Sequence, residues 1–248
     1  MTHARLRDFA EGFDLQTDLW WVAMMFLGLM IAVLSAIAFP PFGGFWIWVL
    51  VGVRFSIALC LAQQPWGDVF RRLLGFGVAA GAFMIFADHL CVSWRTSAQR
   101  VYPNEAASAL LSSPLYVPLL WATTIVEWGY AITRLYGLAA RQKPSEMALG
   151  LAMGAGGFLA AILTASQEFL AVRAQWWGYA PGVFLGDACP FYVVLANFFL
   201  FVGFLPVFGR YLASGGTRTY AAVRYGAVFA AVAFFSFAVA HMLVERGP

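Results

Sequence analysis

Charge is what this sequence has least of. Only 11% of its 248 residues are Asp, Glu, Lys or Arg, and there is a single lysine, Lys143. A water-soluble domain carries about 25% charged residues to cover its surface, so a soluble globular protein is excluded. The lone lysine lies in a loop between apolar runs, which excludes a retinal-type Schiff base within the bundle. Histidine is equally scarce, at His3, His89 and His241. This leaves no His-rich boxes of the di-iron oxygenase type and only one distant His pair for a haem. No Walker A or dinucleotide-binding glycine pattern occurs. Neither low-complexity tracts nor transporter-type internal repeats are visible. No cofactor, metal or nucleic-acid partner is therefore expected; the net charge of +3 reflects the placement of basic residues in loops.

What is present is apolar: 62% hydrophobic and 17% aromatic. About 20 apolar residues span 30 Å of hydrocarbon as helix. Runs of that order cover Leu19 to Ala38, Phe45 to Gln63, Leu73 to Val92, Pro114 to Ala139, Met147 to Val172, Val183 to Phe208 and Ala221 to Val244. The Val183 to Phe208 run is bounded by the breakers Pro181, Gly182 and Pro206. The expected class is all-α, a polytopic membrane protein of seven spans. Residues 1–18 form a short amphipathic lead-in, and residues 19–248 form one transmembrane domain.

Basic residues orient it. Ten of them (Arg5, Arg7, Arg71, Arg72, Arg134, Arg141, Lys143, Arg210, Arg218, Arg224) fall on one side of a seven-span chain, and Arg95, Arg100, Arg173 and Arg246 on the other. The positive-inside rule then puts the N-terminus in the cytoplasm and the C-terminus outside, in a bacterial-type inner membrane.

Acids inside such segments are costly and mark candidate sites. Asp88 near the outer end of the third span, Glu168 at the end of the fifth and Asp187 at the start of the sixth share one level. On the fifth span Gly150, Gly154, Gly157, Ala161, Thr164 and Glu168 form a small-residue stripe suited to close helix packing. Gly77, Gly81 and Asp88 do the same on the third. Both stripes aim their acids inward. The alternative is interfacial acids paired with Arg95, Arg100 and Arg173. Glu127 lies deep in the fourth span and Arg54 mid-way along the second, so a buried Arg54–Glu127 ion pair is expected, with Arg134 as a competing partner.

Trp20, Trp21, Trp46, Trp48, Trp66, Trp94 and Trp121 fit an interfacial belt. The segment Gln175-Trp176-Trp177-Gly178-Tyr179 is denser than a belt requires. With Tyr116, Phe86 and Phe191 it either lines an apolar pocket around the acids or extends the girdle. Cys91 and Cys189 share the outer level, where they are either a disulfide or two small buried side chains.

From Glu168 to Asn197 the chain reads Glu, then Trp-Trp-Gly-Tyr, a glycine, and a Cys-Pro-Phe-Tyr helix start. This order resembles that of integral-membrane carotenoid hydratases, and seven helices with acids around aromatics resemble the small membrane terpene cyclases. The match covers the 30 residues from 168 to 197. The outer loop and the Asp88–His89 pair belong to neither pattern, and no catalytic residue is transferred. The resemblance implies a lyase or isomerase acting on a terpene, carotenoid or other isoprenoid lipid.

The residues themselves suit that chemistry. A carboxylic acid in apolar surroundings keeps its proton and can protonate an alkene or epoxide. Aromatic faces stabilise the carbocation, and a second carboxylate or water quenches it. Asp88 and Glu168 are the candidate acid and base, with Asp187 orienting them. Two rival classes stay open: a non-enzymatic subunit of a larger, pigment- or lipid-surrounded complex, and a proton-coupled carrier of a small solute.

Overall fold

The computed structural model describes residues 2–93, 98–102, 109–111, 113–214 and 217–245. Trp94, Arg95 and Arg246 of the sequence argument lie outside them. The helices are α1 (Thr2–Glu11), α2 (Leu15–Ala38), α3 (Gly43–Gln63), α4 (Asp68–Ser93), α5 (Tyr116–Ala140), α6 (Ser145–Arg173), α7 (Phe191–Val202), α8 (Phe204–Ala213) and α9 (Arg218–Glu245). Among the described residues, six segments are long and apolar enough to cross a membrane: α2, α3 with its leading turn, α4, α6, α7 joined to α8, and α9.

Local chemistry sets the boundaries. Asp14 caps α2 by accepting from the Thr17 amide (2.8 Å) while Thr17 Oγ1 accepts from the Asp14 amide (3.0 Å), a reciprocal capping box. α6 opens with Glu146 and closes with Arg173, charges that complement the helix dipole. Pro206 has no N–H and its ring crowds the carbonyl four residues back, at Val202; α7 stops at that residue and α8 restarts beyond Gly203.

α5 occupies the centre. Its buried residues include Tyr116, Thr123, Glu127, Tyr130 and Tyr136, so packing rather than lipid solvates it. Close approach of α4 depends on glycine: a Cβ on Gly81 would lie 2.2 Å from Pro118 O, and one on Gly77 2.7 Å from Ala122 O. That face carries Asp88 inward, as its spacing implied. The stripe on α6 is only half inward. A Cβ on Gly157 would meet Val202 at 2.6 Å, but Gly150 and Gly154 face open space. The buried face instead runs Ala148, Ala152, Gly156, Ala160, Thr164, Glu168, a strict four-residue repeat of small side chains ending on the same acid.

At one end of the bundle α1 seats Leu6 and Phe9 in the core and the turn after it adds Phe13, with Phe9 edge-on to Phe208 at 5.3 Å. Phe76, Phe204, Phe208 and Phe229 fill the space behind it. Arg134 pairs with Asp18 at 2.7 Å rather than with Glu127. Glu127 is left to Arg54, and the two form a buried ion pair between α5 and α3.

The other end is closed by chain segments rather than helices. β1 (Arg100–Val101) pairs antiparallel with β4 (Gly178–Tyr179), aligning Arg100 with Tyr179. The pairing is extended by Ala180 N–H to Gln99 O and Ala98 N–H to Pro181 O, both 2.8 Å. β2 (Ala109–Leu110) pairs with β3 (Ser113–Pro114), and β5 (Phe184–Leu185) with β6 (Cys189–Pro190).

Candidate functional site

α6 ends in a tight reversal. Gln175 adopts a left-handed backbone (φ 56°), and the Trp176 and Gln175 amides bond back to Ala171 O (2.9 Å) and Val172 O (3.1 Å), the Schellman pattern with a non-glycine at its turning residue. The chain is thereby folded over the helix end it has just left. Trp176 and Trp177 become buried, and Tyr179 enters β4 opposite Arg100.

Arg100 is the centre of what this reversal builds. It is 8% exposed, and its Nη1 donates to Asp88 Oδ1 at 2.6 Å. Nη2 donates to Glu168 Oε1 (3.2 Å) and to the Tyr179 hydroxyl (2.8 Å), which Nε also reaches (3.0 Å). The guanidinium carbon stands 5.3 Å from the Trp177 ring centre and 5.5 Å from that of Tyr179. Glu168 Oε2 accepts from Trp177 Nε1 (2.6 Å) and from the Tyr179 hydroxyl (2.8 Å). Asp88 accepts from the Tyr102 hydroxyl at 2.8–2.9 Å. Every polar neighbour of the two carboxylates is a donor. Two carboxylates around one guanidinium carry a formal charge of −1.

Burial alone would weaken the charge on Arg100, but Tyr179, Tyr102, Glu168 and Asp88 overcome it and hold its pKa well above the ordinary value. Burial, then Asp88, pushes the Tyr102 hydroxyl well up. Burial does the same at Tyr179, prevailing over the opposing pull of Arg100, with Glu168 adding to the rise. Both phenols stay protonated, hence donors.

A cavity of about 40 Å³ lies beside this cluster. Arg100 and Glu168 form one wall; Tyr102, Trp121, Trp128, Trp177 and Phe237 form most of the rest, with Thr124, Thr164, Gln167 and Asn197 as polar points. Trp121 is thus a cavity residue, edge-on to Phe237 at 6.4 Å, and not part of a belt. Among the described residues no group of three His, Cys, Asp or Glu side chains gathers at metal-holding distance.

Of the three acids expected to converge, Asp88 and Glu168 meet through Arg100. Asp187 does not join them. It is exposed at the tip of the β5–β6 hairpin, after Gly186 with its positive φ of 62°; the helix begins at Phe191, later than its apolar run implied. Trp177 and Tyr179 contact the cluster directly. Trp176 turns away and donates to Ser35 Oγ (3.1 Å), and its carbonyl accepts from Tyr116 (3.3 Å). Tyr116 packs edge-on to Tyr102 at 6.2 Å. Phe86 (54% exposed) and Phe191 (39%) face outward. Two residues before Asp88 is about 200° round the helix, so an inward Asp88 requires an outward Phe86. Cys91 and Cys189 are buried and free. Cys91 packs with Tyr192 and Val193, and burial pushes the Cys189 thiol up to about 12, so both behave as small apolar side chains.

Arg100, Tyr102, Thr164 and Asn197 carry the site. The sequence names Arg100 only as an interfacial partner for the acids, a pairing found here with Asp88 and Glu168, and Thr164 only in the α6 stripe. It gives Tyr102 and Asn197 no place in a site. The signal for Arg100 was present: it is a basic residue in a loop on the side of the chain poor in them.

The class defined so far is an α-helical membrane protein with an aromatic-walled cavity beside the Asp88–Arg100–Glu168 cluster at one end. Residues 85–244 match the family described as "Domain of unknown function (DUF6989)", and the chain belongs to that family. The matched region begins just before Asp88 and includes Arg100, Glu168 and the cavity helices. No curated protein and no solved structure matches the chain.

Proposed function

We propose that the chain is a multi-pass enzyme of a bacterial-type inner membrane that acts on an isoprenoid or terpenoid lipid by acid–base chemistry, hydrating or cyclising it. In this reading α5 is the seventh span. Its 25 residues reach about 37 Å, and its buried position explains why it is less apolar than the helices around it. Seven spans with the N-terminus in the cytoplasm then put the Arg100 cluster at the outer face.

The observation that carries the proposal is Glu168: it is the carboxyl on the wall of a cavity otherwise dominated by aromatic faces. Such a surface fits a substrate that passes through a carbocation. The rings stabilise it by cation–π attraction, and the cluster's net negative charge adds to this at short range. Proton transfer is assigned to Glu168. In its protonated form it delivers a proton to an alkene carbon of the lipid, forming the cation, and the resulting carboxylate takes back the proton lost on ring closure, or that of a water adding to the cation. Asp88 is a positioning residue that holds Arg100, and Arg100 with Trp177 and Tyr179 fixes the Glu168 carboxyl.

Membranes containing the chain, incubated with a panel of prenyl lipids, test this. Glu168→Gln preserves shape, and product formation should fall by about 10²–10⁴-fold while the chain stays folded, with a stability loss of only about 1 kcal/mol. Conversion unaffected by Glu168→Gln, or no conversion by the unmodified chain, contradicts it and leaves the cluster as a clasp closing the bundle.

A further inference from the structure

The cavity beside Glu168 holds two polar atoms that the protein does not satisfy. Thr164 is 3% exposed and Asn197 4% exposed. Thr164 Oγ1 and Asn197 Oδ1 have no hydrogen-bond partner among the described residues, although both residues line the cavity. A buried polar atom without a partner costs about 1–3 kcal/mol, and such atoms cluster where something else supplies the bond.

The chemistry of the missing partner can be read from the donors and acceptors. Asn197 Nδ2 donates to Val193 O at 3.0 Å. A carbonyl can receive only the NH₂ side of the amide, so Oδ1 is fixed as the atom turned to the cavity. Glu168, a turn along α6 from Thr164, adds a second acceptor. Two acceptors and a hydroxyl call for a ligand that donates. An ether or ketone would leave Oδ1 unpaired, and a phosphate would meet the −1 charge of the Asp88–Arg100–Glu168 cluster.

Size limits the ligand further. One water-sized group needs about 10–15 Å³ of such space, so about 40 Å³ admits a hydroxyl and its nearest carbons but no chain. A second, apolar cavity of about 100 Å³ lies between α2 and α6 and shares Trp128 and Gln167 with the first. Its lining includes Leu29, Ala32, Leu163 and Leu170, together with Arg54, whose charge is matched by Glu127, and Leu29 is 53% exposed. The groove thus opens on the outer surface of the bundle and borders the polar cavity at Trp128 and Gln167.

We infer that Asn197, Thr164 and Glu168 form a subsite for the hydroxyl of a neutral lipid alcohol whose chain lies in the α2–α6 groove. The inference rests on the proposed lipid-processing function for the nature of the chain, and it narrows the ligand class to alcohols over prenyl phosphates and ethers.

The test uses the full chain in phosphatidylcholine nanodiscs, titrated with farnesol, farnesyl methyl ether and farnesyl phosphate. Tryptophan fluorescence is the readout, since Trp121, Trp128 and Trp177 wall the cavity. Farnesol should bind saturably, with the ether and the phosphate each about tenfold weaker or worse, the factor expected for one lost hydrogen bond. Asn197→Leu should cut farnesol affinity about tenfold and leave the ether's unchanged, which a merely structural role would not do, and Thr164→Val, which removes a donor that both oxygens can use, should weaken both. Should Asn197→Leu fail to fold, the near-isosteric Thr164→Val decides alone. Equal affinity for alcohol and ether, a preference for the phosphate, variants without effect, or no saturable binding would each overturn the subsite. Farnesol bound as described but never converted would keep the subsite and sink the enzymatic reading. Conversion of prenyl lipids with no preference for the alcohol would do the reverse.

Discussion

Two groups of buried charge sit in this bundle, and they are built on opposite plans. The Arg54–Glu127 pair joins two helices mid-bundle, one charge of each sign, with no loop residue involved. The Asp88–Arg100–Glu168 cluster at the end of the bundle has an unequal count, recruits its cation from a loop, and is ringed by Tyr102, Trp177 and Tyr179. Arg54 borders the apolar α2–α6 cavity and is matched by Glu127, while Arg100 and Glu168 border the polar one. A balanced pair fixes how helices meet. An unbalanced cluster beside unpaired polar atoms has chemistry left over, and that difference locates the site.

The comparison breaks most readily at the balanced pair. Removing either member leaves an uncompensated buried charge, at about 3–5 kcal/mol. Arg54→Leu and Glu127→Leu should each show that loss in detergent or denaturant melting, and the double substitution should recover most of it. Additive losses would mean that the two side chains do not act as a pair.

At the cluster the ranking should invert between cation and anions. Arg100→Met strands two carboxylates and should cost as much as breaking the balanced pair. Asp88→Asn or Glu168→Gln leaves one guanidinium facing one carboxylate, so each should cost only about 1 kcal/mol, the scale of one net hydrogen bond. If the two amide variants melted as low as Arg100→Met, the cluster's charge would not be what decides its stability.

A smaller effect belongs to the phenols. Tyr102 and Tyr179 both titrate above the ordinary tyrosine value of 10 in the folded chain. From about pH 10 upward the unfolded chain loses protons that the folded chain keeps, so stability falls as pH rises, by up to about 1.4 kcal/mol per pH unit per tyrosine. Below that value their contribution is fully present. Tyr102→Phe and Tyr179→Phe should each flatten the alkaline fall in melting temperature. An unchanged slope would mean that these hydroxyls are solvated.

These two regions also differ in how much of them was legible in the sequence. Apolar runs locate the long helices to within a few residues, because lipid and core both demand them. Arg54 and Glu127 are readable as a pair because each interrupts such a run at mid-depth. The cluster is readable by its acids, with Arg100 as only one of three basic residues offered as their partner. Arg100 is placed by a pairing of two-residue strands, β1 with β4, and by the non-glycine reversal at Gln175, neither of which leaves a periodic trace. Asp187 misleads for the same reason: Val183 and Phe184 extend the apolar run of α7 backward, but the backbone there is a hairpin and the helix waits for Phe191. On α6, Gly150 and Gly154 suggest a stripe that the structure moves to Ala148, Ala152, Gly156 and Ala160, since small residues occupy both faces and only the neighbouring helices choose between them.

The central claim, that Glu168 exchanges protons with a lipid held in the cavity, is tested most directly by isotope. Nanodiscs carrying the chain and an unlabelled prenyl lipid are incubated in D₂O, and the recovered lipid is analysed for carbon-bound deuterium. The account predicts deuterium at carbon with the unmodified chain. It predicts none above background with Glu168→Gln, and retained incorporation in a folded Arg54→Leu/Glu127→Leu double variant. Equal incorporation with and without Glu168, or none with either, would contradict it.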